Sequence, residues 1–230
     1  MNESGKALFR KRGRSLLWIP VWTILSLLVF AAIAKELNES EMLHMDGRII
    51  GWLAPMNQSH AIGFMKMVTH LGSVEWISVC LLALTAWLLV RQRSVAAAWL
   101  LMVMGLTGLL TTLFKQTFRR IRPGMDPAVD GVGYSFPSAH ASAVMAFYGF
   151  VIYLLFKSRA FSMRQKTWAA GLLTLIIGIV GMSRILLKVH FPSDVVAGYS
   201  LGMFCLSLGI LGMEIHGERT GIPYREKVDA

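Results

Sequence analysis

Charged residues are scarce in this chain. Only 16% of its 230 residues are Asp, Glu, Lys or Arg, whereas a soluble globular domain carries about 25%. Hydrophobic residues make up 55%, the mean hydropathy is +0.56, and several apolar runs reach the roughly 17–25 residues that cross a bilayer as a helix. The composition excludes an ordinary soluble domain and predicts a polytopic membrane protein.

Cysteines and acidic residues are also few. Cys80 and Cys205 are the only cysteines and both fall within apolar runs, so we expect packed thiols and neither a disulfide framework nor a zinc site. The 13 acidic residues against 23 Lys and Arg give a net charge of +10. Because the basic residues lie between apolar runs, they indicate topology and contact with anionic headgroups. We therefore expect no nucleic-acid partner.

Six apolar segments predict an all-α fold with six transmembrane helices, and a single domain accounts for 1–230. The segments are 16–34, 73–90, 95–114, 138–156, 167–187 and 194–213. The first could be mistaken for a secretory signal, but its apolar stretch exceeds the usual length of about 7–15 residues, so we expect an uncleaved span. Short amphipathic helices at the outer membrane surface are expected within 35–72, where Asp46 could cap a helix start.

Basic residues indicate the orientation. The first span is preceded by Lys6, Arg10, Lys11, Arg12 and Arg14 and followed by Glu36, Glu39, Glu41 and Asp46. Since cytoplasmic loops carry an excess of Lys and Arg, both termini are expected in the cytoplasm. Counting spans then puts the loops 115–137 and 188–193 on the outer face. The first of these breaks the charge tendency, because it holds Lys115, Arg119, Arg120 and Arg122, and this exception indicates another role.

Three groups of polar residues lie at span ends on that face, and Lys115 and Arg122 form the first. They are seven residues apart, so they are predicted to share one face of a helix with Arg119. Pro123 disfavours helical geometry in the residue before it, so the helix is expected to end near Arg122. A basic patch that contacts lipid headgroups would explain this group equally well.

The second group, Pro137-Ser138-Ala139-His140, opens the fourth span. Ser138 is suited to an N-cap, and the first amides of a helix point at any anion that lies beyond them. His140 lies within that first turn, close to the positive end of the helix dipole. Taken alone, the group is also consistent with an ordinary helix cap and an interfacial histidine.

The third group is Ser183-Arg184 with His190 and Asp194, between the fifth and sixth spans. Pro192 and Ser193 are typical of a helix start. A carboxylate four residues from a histidine can accept its ring N–H, which fixes the tautomer and leaves the other nitrogen free to attack. A structural His–Asp pair in a loop is the alternative.

Together the three groups supply the roles that cleavage of a phosphate ester needs. Lys115, Arg122 and Arg184 can neutralise the non-bridging oxygens, with arginine making planar two-point contacts. His190 can attack phosphorus, and His140 can protonate the leaving oxygen. Since span counting places all three groups on one face, we expect them to form a single site.

These motifs resemble those of the type 2 phosphatidic acid phosphatase (PAP2) superfamily, which also includes the soluble vanadium haloperoxidases. The matching pattern is Lys115-x6-Arg122-Pro123, then Pro137-Ser138-x-His140, then Ser183-Arg184-x5-His190-x3-Asp194. With six spans and no added domain, the chain looks like the bacterial phosphatidylglycerophosphatase B branch. The resemblance covers 115–194 by motif and the whole chain by architecture. The family usually has glycine where Ala139 stands, so we expect a slightly different fit around the phosphate and retained activity.

The resemblance implies a role for each matching position. His190 would be the nucleophile that forms a phosphohistidine, Asp194 its orienting partner and His140 the general acid. The phosphate would be held by Lys115, Arg122, Ser138, Ala139 and Arg184. The resemblance implies no metal or other cofactor, and the sequence contains no carboxylate cluster that would suggest one.

The leading interpretation is an integral membrane lipid phosphatase that acts at the outer leaflet of the cell membrane. Phosphatidylglycerophosphate, phosphatidic acid and undecaprenyl pyrophosphate all fit, because the motifs read the phosphate and not the tail. The alternative is a transporter or lipid-binding protein that holds an anion without hydrolysis, although no symmetric halves with broken spans are visible. His70 and Glu75, at the start of the second span, are weaker candidates for headgroup contact.

Overall fold

The computed structural model describes residues 3–56, 59–124 and 133–219, and within these ranges the secondary structure is helical, without strands. The helices are α1 (Glu3–Lys35), α2 (Ser40–Leu53), α3 (Ser59–Thr69), α4 (Val74–Val90), α5 (Ser94–Phe118), α6 (Ala139–Lys157), α7 (Met163–Leu186) and α8 (Pro192–Arg219). Short 3₁₀ helices, Ala54–Met56 and His70–Gly72, follow α2 and α3. The all-α prediction is confirmed.

Five of the described helices, α1, α5, α6, α7 and α8, are each long and apolar enough to cross a membrane. The predicted second span differs, because α3 and α4 qualify only as a pair that is bent by 41° at the break between them. Large apolar side chains such as Trp22 and Leu172 are exposed on these helices, as expected for contact with hydrocarbon. The chain is an integral membrane protein whose described helices provide five candidate spans, or six if the bent pair counts as one.

Helices α2 and α3 occupy the segment in which short amphipathic helices were expected. Helix α2 exposes Leu43, Met45 and Trp52 but buries Asp46. Asp46, which could cap a helix start, does not cap α2, because α2 begins at Ser40 and Asp46 lies in its middle. The Asp46 carboxylate instead accepts the backbone N–H of Ser193 at the start of α8, at 2.9 Å, where the first amides of a helix lack intrahelical partners.

Helix α8 is central and packs against α1, α5 and α6. At its contact with α6, Gly198 and Gly202 face the α6 backbone. A Cβ atom would lie 2.6 Å from the carbonyl oxygen of Ser138 at Gly198, and 2.4 Å from that of Ser142 at Gly202. Small residues four apart allow membrane helices to approach this closely. The contact holds the start of α6 against the start of α8.

Apolar side chains of the described helices form three buried clusters, of which two are larger than the third. The largest one includes Leu100, Val103, Val144, Phe150 and Val180, and both cysteines pack in it. The second one is aromatic: Phe30 and Phe114 have ring centroids 4.7 Å apart, and Phe118 and Phe136 5.1 Å apart. The aromatic cluster fixes the chain immediately before α6 against α1 and the end of α5.

Candidate active site

His190 lies in the short turn between α7 and α8 and is only 2% exposed. Its amide donates to the carbonyl oxygen of Arg184 at 3.2 Å, which ties the turn to the end of α7. On one side of the ring, Nδ1 lies 3.5 Å from Oδ2 of Asp194. On the other side, Nε2 lies 3.4 Å from Nη1 of Arg122. With its proton on Nδ1, the imidazole presents the lone pair of Nε2 to the cationic side of the site.

The surroundings of His190 favour a neutral ring. Burial lowers the pKa of His190 to about 4, and the cations of Lys115 and Arg184 act in the same direction, whereas Asp194 opposes the shift. Burial disfavours the charged form because the low-polarity interior solvates it poorly. The ring is therefore uncharged near neutral pH, as a nucleophilic nitrogen must be.

Lys115 and Arg122 reach the site by a different route from the one predicted. The expected shared helix face is wrong, because α5 ends at Phe118 and Arg119 adopts a left-handed conformation with φ of 48°. Lys115 lies in the last turn of α5, and its Nζ donates to the carbonyl oxygen of Tyr134. Arg122 follows in the loop and donates from Nη1 to the carbonyl oxygen of Val189 at 2.8 Å.

The segment that follows α5 turns inward, and Arg120 is buried there. The Arg120 guanidinium forms buried ion pairs with Asp46 and Asp194. Arg119 points the other way, is exposed, and donates from Nε to the carbonyl oxygen of Gln116. Arg119 therefore does not join the site, although the predicted helical stripe placed it beside Lys115.

Arg184 occupies the last turn of α7 and is 1% exposed. Its Nη1 donates to Oγ1 of Thr69 at 2.8 Å, across the break between α3 and α4. The preceding residue, Ser183, bonds the carbonyl oxygen of Val180 in its own helix. Arg184 therefore contributes a positive charge to the site, whereas the Ser183 side chain bonds within its own helix.

The start of α6 contributes Ser138, Ala139 and His140. Ser138 is the N-cap, as predicted: its Oγ accepts the amide of Ala141, and its own amide donates to the carbonyl oxygen of Asp194 at 3.0 Å. The next two amides, those of Ala139 and His140, belong to the first turn and point out of the helix start. That geometry is suited to an anion.

The His140 ring is 8% exposed, and its Nε2 has no hydrogen-bond partner within the described ranges. It lies near enough to interact electrostatically with Arg184, His190, Arg122 and Lys115. Because buried polar atoms are nearly always bonded, a buried nitrogen without a protein partner is positioned to bond a bound group. The structure thus brings all eight predicted site residues to one end of the helix bundle.

Two weaker candidates stay outside this cluster. His70 and Glu75 are both exposed at the bend between α3 and α4. Gly72 lies between them, and a Cβ atom there would come within 3.3 Å of the His140 ring and 2.6 Å of Val180. The bend therefore contributes close packing against His140 and the hydroxyl of Thr69, rather than the two titratable side chains.

The arrangement can bind a tetrahedral anion and present a nucleophile to it. Arg122 lies 3.4 Å from Nε2 of His190, and Lys115 and Arg184 are close enough to act electrostatically on the same ring. Within the part of the chain that the structure describes, no three His, Cys, Asp or Glu side chains are grouped so as to hold a metal ion.

A comparison with protein families matches residues 96–215 to the model described as the PAP2 superfamily. The chain belongs to the PAP2 superfamily. The matched stretch runs from α5 to α8 and contains the whole predicted cluster of cations and histidines.

A curated relative and a solved structure, both from Bacillus subtilis, extend this PAP2 relationship to most of the chain. Phosphatidylglycerophosphatase B of strain 168 is 28% identical over 181 residues, which cover 79% of this chain and 89% of that protein. The crystal structure of a transmembrane PAP2-type phosphatidylglycerolphosphate phosphatase superimposes with a TM-score of 0.76 at 26% identity, covering 86% of this chain and 96% of that one. The predicted resemblance to that branch is confirmed.

Another PAP2 relative carries a different name. The putative undecaprenyl-diphosphatase YbjG of Escherichia coli K12 is 30% identical over 146 residues, which cover 58% of this chain and 66% of that protein. Proteins named for different phosphorylated compounds are thus similar to one chain. On these grounds the chain is a PAP2-type membrane phosphatase.

Sequence reasoning missed three residues of this PAP2 cluster. Arg120, Asp46 and Thr69 are buried and bond Asp194, Arg120 and Arg184 respectively. The sequence did not indicate a role for Arg120. A helix that continued to Arg122 would place Arg119, and not Arg120, on the same face as Lys115. The sequence did contain a signal for Asp46, because an acidic residue lies there between the apolar positions of a predicted amphipathic segment.

Proposed function

We propose that the chain is a lipid phosphatase that hydrolyses the terminal phosphate of phosphorylated membrane lipids through a phosphohistidine on His190. One observation carries the proposal: the His190 ring lies between Asp194, 3.5 Å from Nδ1, and Arg122, 3.4 Å from Nε2. A site that only bound an anion would need the cations. It would not need a buried neutral imidazole oriented by a carboxylate.

The phosphate would be held by charge from three directions. Lys115 approaches from the end of α5, Arg122 from the loop that follows, and Arg184 from the end of α7. The start of α6, with Ser138 and Ala139, adds amide donors. Donors fixed before the substrate arrives stabilise charge that develops on the non-bridging oxygens without having to reorganise.

The first chemical step would transfer the phosphoryl group to the protein. Nε2 of His190 attacks phosphorus and the bond from phosphorus to the leaving oxygen breaks. His140, protonated when the negatively charged phosphate is bound beside it, donates its proton to that oxygen. Asp194 keeps the proton on Nδ1 and stabilises the positive charge that forms on the ring. Water then attacks the phosphohistidine, His140 accepts its proton, and inorganic phosphate leaves from a regenerated His190.

A cleft supports a substrate with an apolar tail. It has a volume of about 140 Å³ and lies between α2 and the end of α7, where it is lined by Ile50, Leu53, Ile185, Leu186 and Lys188, among others. Lys188 is only two residues before His190. The cleft thus adjoins, along the chain, the turn that carries His190. Because the cations bind the phosphate and not the tail, phosphatidylglycerophosphate, phosphatidic acid and undecaprenyl pyrophosphate are the proposed substrates.

The proposed location is the outer leaflet of the cell membrane, with residues 1–230 forming one domain and both termini cytoplasmic. Basic residues support this orientation. They precede the first span and lie in the turns 91–93 and 157–166. Because Arg122 contacts Val189, the two loops predicted to share one face do meet. Under this orientation that face is extracytoplasmic.

Hydrolysis by the purified protein tests the proposal. The three lipids are presented separately in detergent micelles, and released phosphate is measured for wild type, His190→Ala and a control, His44→Ala, whose side chain is exposed on α2. Wild type and His44→Ala should hydrolyse at least one lipid, and His190→Ala should lose about a thousandfold or more in kcat. Failure of folded wild type on all three lipids, or near-normal turnover by His190→Ala, would refute the proposal.

A further inference from the structure

A buried ionic network lies behind His190, on the side away from the cations proposed to hold the phosphate. We propose that Arg120 and Asp46 are a positioning pair for the nucleophile, and that they link the amphipathic helix α2 to His190 through Asp194. The inference rests on the proposed roles of His190 and Asp194. It adds two residues that the PAP2 motifs do not include.

Arg120 contacts four side chains at once and is 7% exposed. Its Nη1 donates to Oδ1 of Asp194 at 2.7 Å and to Oγ of Ser193 at 2.7 Å. Its Nη2 donates to Oδ2 of Asp46 at 2.8 Å. The guanidinium also lies over the ring of Phe191, with 4.0 Å from Cζ to the ring centroid. The two terminal nitrogens are thus directed at carboxylates and not at the proposed phosphate site.

Asp46 completes the network from α2 and is 2% exposed. Its Oδ1 accepts the amide of Ser193 at 2.9 Å, and its Oδ2 accepts the hydroxyl of Ser193 at 2.7 Å. Asp194 accepts the amide of Phe191 on Oδ2 at 2.9 Å. Two carboxylates therefore sit at the start of α8, where the helix dipole favours negative charge, with one guanidinium joining them.

The bonds to Asp194 define what the pair does. Oδ1 of Asp194 is bonded to Arg120, while Oδ2 faces the Phe191 amide and Nδ1 of His190. Because both carboxylate oxygens have partners, rotation of the carboxylate away from the imidazole would break these contacts. Partners that orient a primary functional group in this way commonly affect activity when they are removed.

The charges in this network explain why both residues are needed. Arg120 offsets two buried carboxylates, and removal of one member of a buried pair leaves an uncompensated charge. Without Arg120, the negative charges of Asp46 and Asp194 lie near each other with no cation between them. Their repulsion then favours protonation of one of the two carboxylates. If Asp194 is the one neutralised, it no longer stabilises the charge that forms on His190.

The first test compares adjacent arginines. Arg120→Met removes the buried guanidinium, and Arg119→Met is the matched control, because Arg119 is exposed and outside the network. For Arg120→Met we expect kcat to fall about 10- to 100-fold, with an unchanged inhibition constant for inorganic phosphate, since Lys115, Arg122 and Arg184 remain. Arg119→Met should match wild type. Equal kcat in the two variants, or a parallel loss of kcat and phosphate affinity, would overturn the inference.

The second test substitutes the carboxylate partner, Asp46, and distinguishes a loss of positioning from a general structural defect. Asp46→Asn alone should fold and lower kcat, because Arg120 loses one of its two charged partners. In the Arg120→Met background, Asp46→Asn should instead raise kcat, since it removes the carboxylate that competes with Asp194. A double variant no faster than Arg120→Met, or an Asp46→Asn single variant with wild-type kcat, would contradict the pair. The Asp46→Asn single variant also keeps the test decisive if Arg120→Met does not fold, as judged by size exclusion and thermal unfolding.

His190→Ala separates this inference from the proposed function. If His190→Ala is inactive while Arg120→Met behaves like Arg119→Met, only the positioning pair is wrong. If His190→Ala retains turnover, the proposed nucleophile is wrong and the pair fails with it.

Discussion

Nη1 of Arg122 lies 3.4 Å from Nε2 of His190. The same nitrogen donates to the carbonyl oxygen of Val189, the residue before His190, at 2.8 Å. On the other side of its guanidinium, Nε donates to the carbonyl oxygen of Gly133 at 3.0 Å. The arginine is thus held by backbone on both sides while it touches the ring. This contact joins the first and third sequence motifs and identifies Nε2 as the ring nitrogen on the cationic side.

Arg122→Lys should lower kcat/KM by about a hundredfold, comparable to loss of a fixed donor at a developing oxyanion. A lysine keeps the charge but cannot hold two carbonyl oxygens and present a planar fork to a phosphate. Steady-state kinetics with a lipid substrate measure the change, with Arg119→Lys as the control. An unchanged kcat/KM would remove the two-point contact from the proposed site.

The pH dependence should reflect an unusually acidic imidazolium at His190. Only the neutral ring can attack, and burial lowers the pKa of His190 from 6.5 to about 4. As pH falls, the neutral form is therefore retained through the range in which an ordinary histidine becomes charged. After correction for ionisation of the substrate phosphate, kcat/KM should begin its acid decline below about pH 5. A decline centred near pH 6.5 would mean that His190 is not the nucleophile in this environment.

The contact between α6 and α8 can be tested at its glycines. In Gly198→Ala, the new Cβ would lie 2.6 Å from the carbonyl oxygen of Ser138, so the start of α6 must shift. We expect a loss of about 1–3 kcal/mol of stability together with reduced activity. Gly178→Ala is the control, because nothing lies within 4 Å of its added Cβ. Thermal unfolding in detergent should separate the two variants, and equal midpoints would contradict the tight contact.

Local spacing predicted the parts of the site that lie close in the chain. Ser138 is an N-cap because a polar side chain precedes an apolar helix. His190 and Asp194 meet because four residues across a helix start bring two side chains together. The meeting of the loops after α5 and α7 followed from counting spans, which requires only that apolar segments cross the membrane.

The remaining parts depend on tertiary contacts that spacing does not encode. Arg120 and Asp46 are 74 residues apart, and Arg184 and Thr69 are 115 apart. The end of α5 was misplaced as well, because Arg120 leaves the helical path and pairs with carboxylates that are distant in the sequence. Pro123 alone allows the helix to continue four residues beyond Phe118.

Chelators should leave the activity unchanged. In the proposed mechanism Lys115, Arg122 and Arg184 neutralise the phosphate, so no step needs a divalent cation. Phosphate release is measured after dialysis against EDTA and again after addition of Mg²⁺ or Zn²⁺. Strong inhibition that a metal ion reverses would show that the three side chains do not suffice.

Trapping of the covalent intermediate tests the proposed chemistry most directly. Purified protein is mixed with a lipid that carries a labelled terminal phosphate, quenched in base after milliseconds, digested and analysed by mass spectrometry. The label should be found on His190, should be acid-labile, and should be absent from His190→Ala. Label on His140 or any other residue, or a His190→Ala variant that still turns over, would contradict nucleophilic attack by His190.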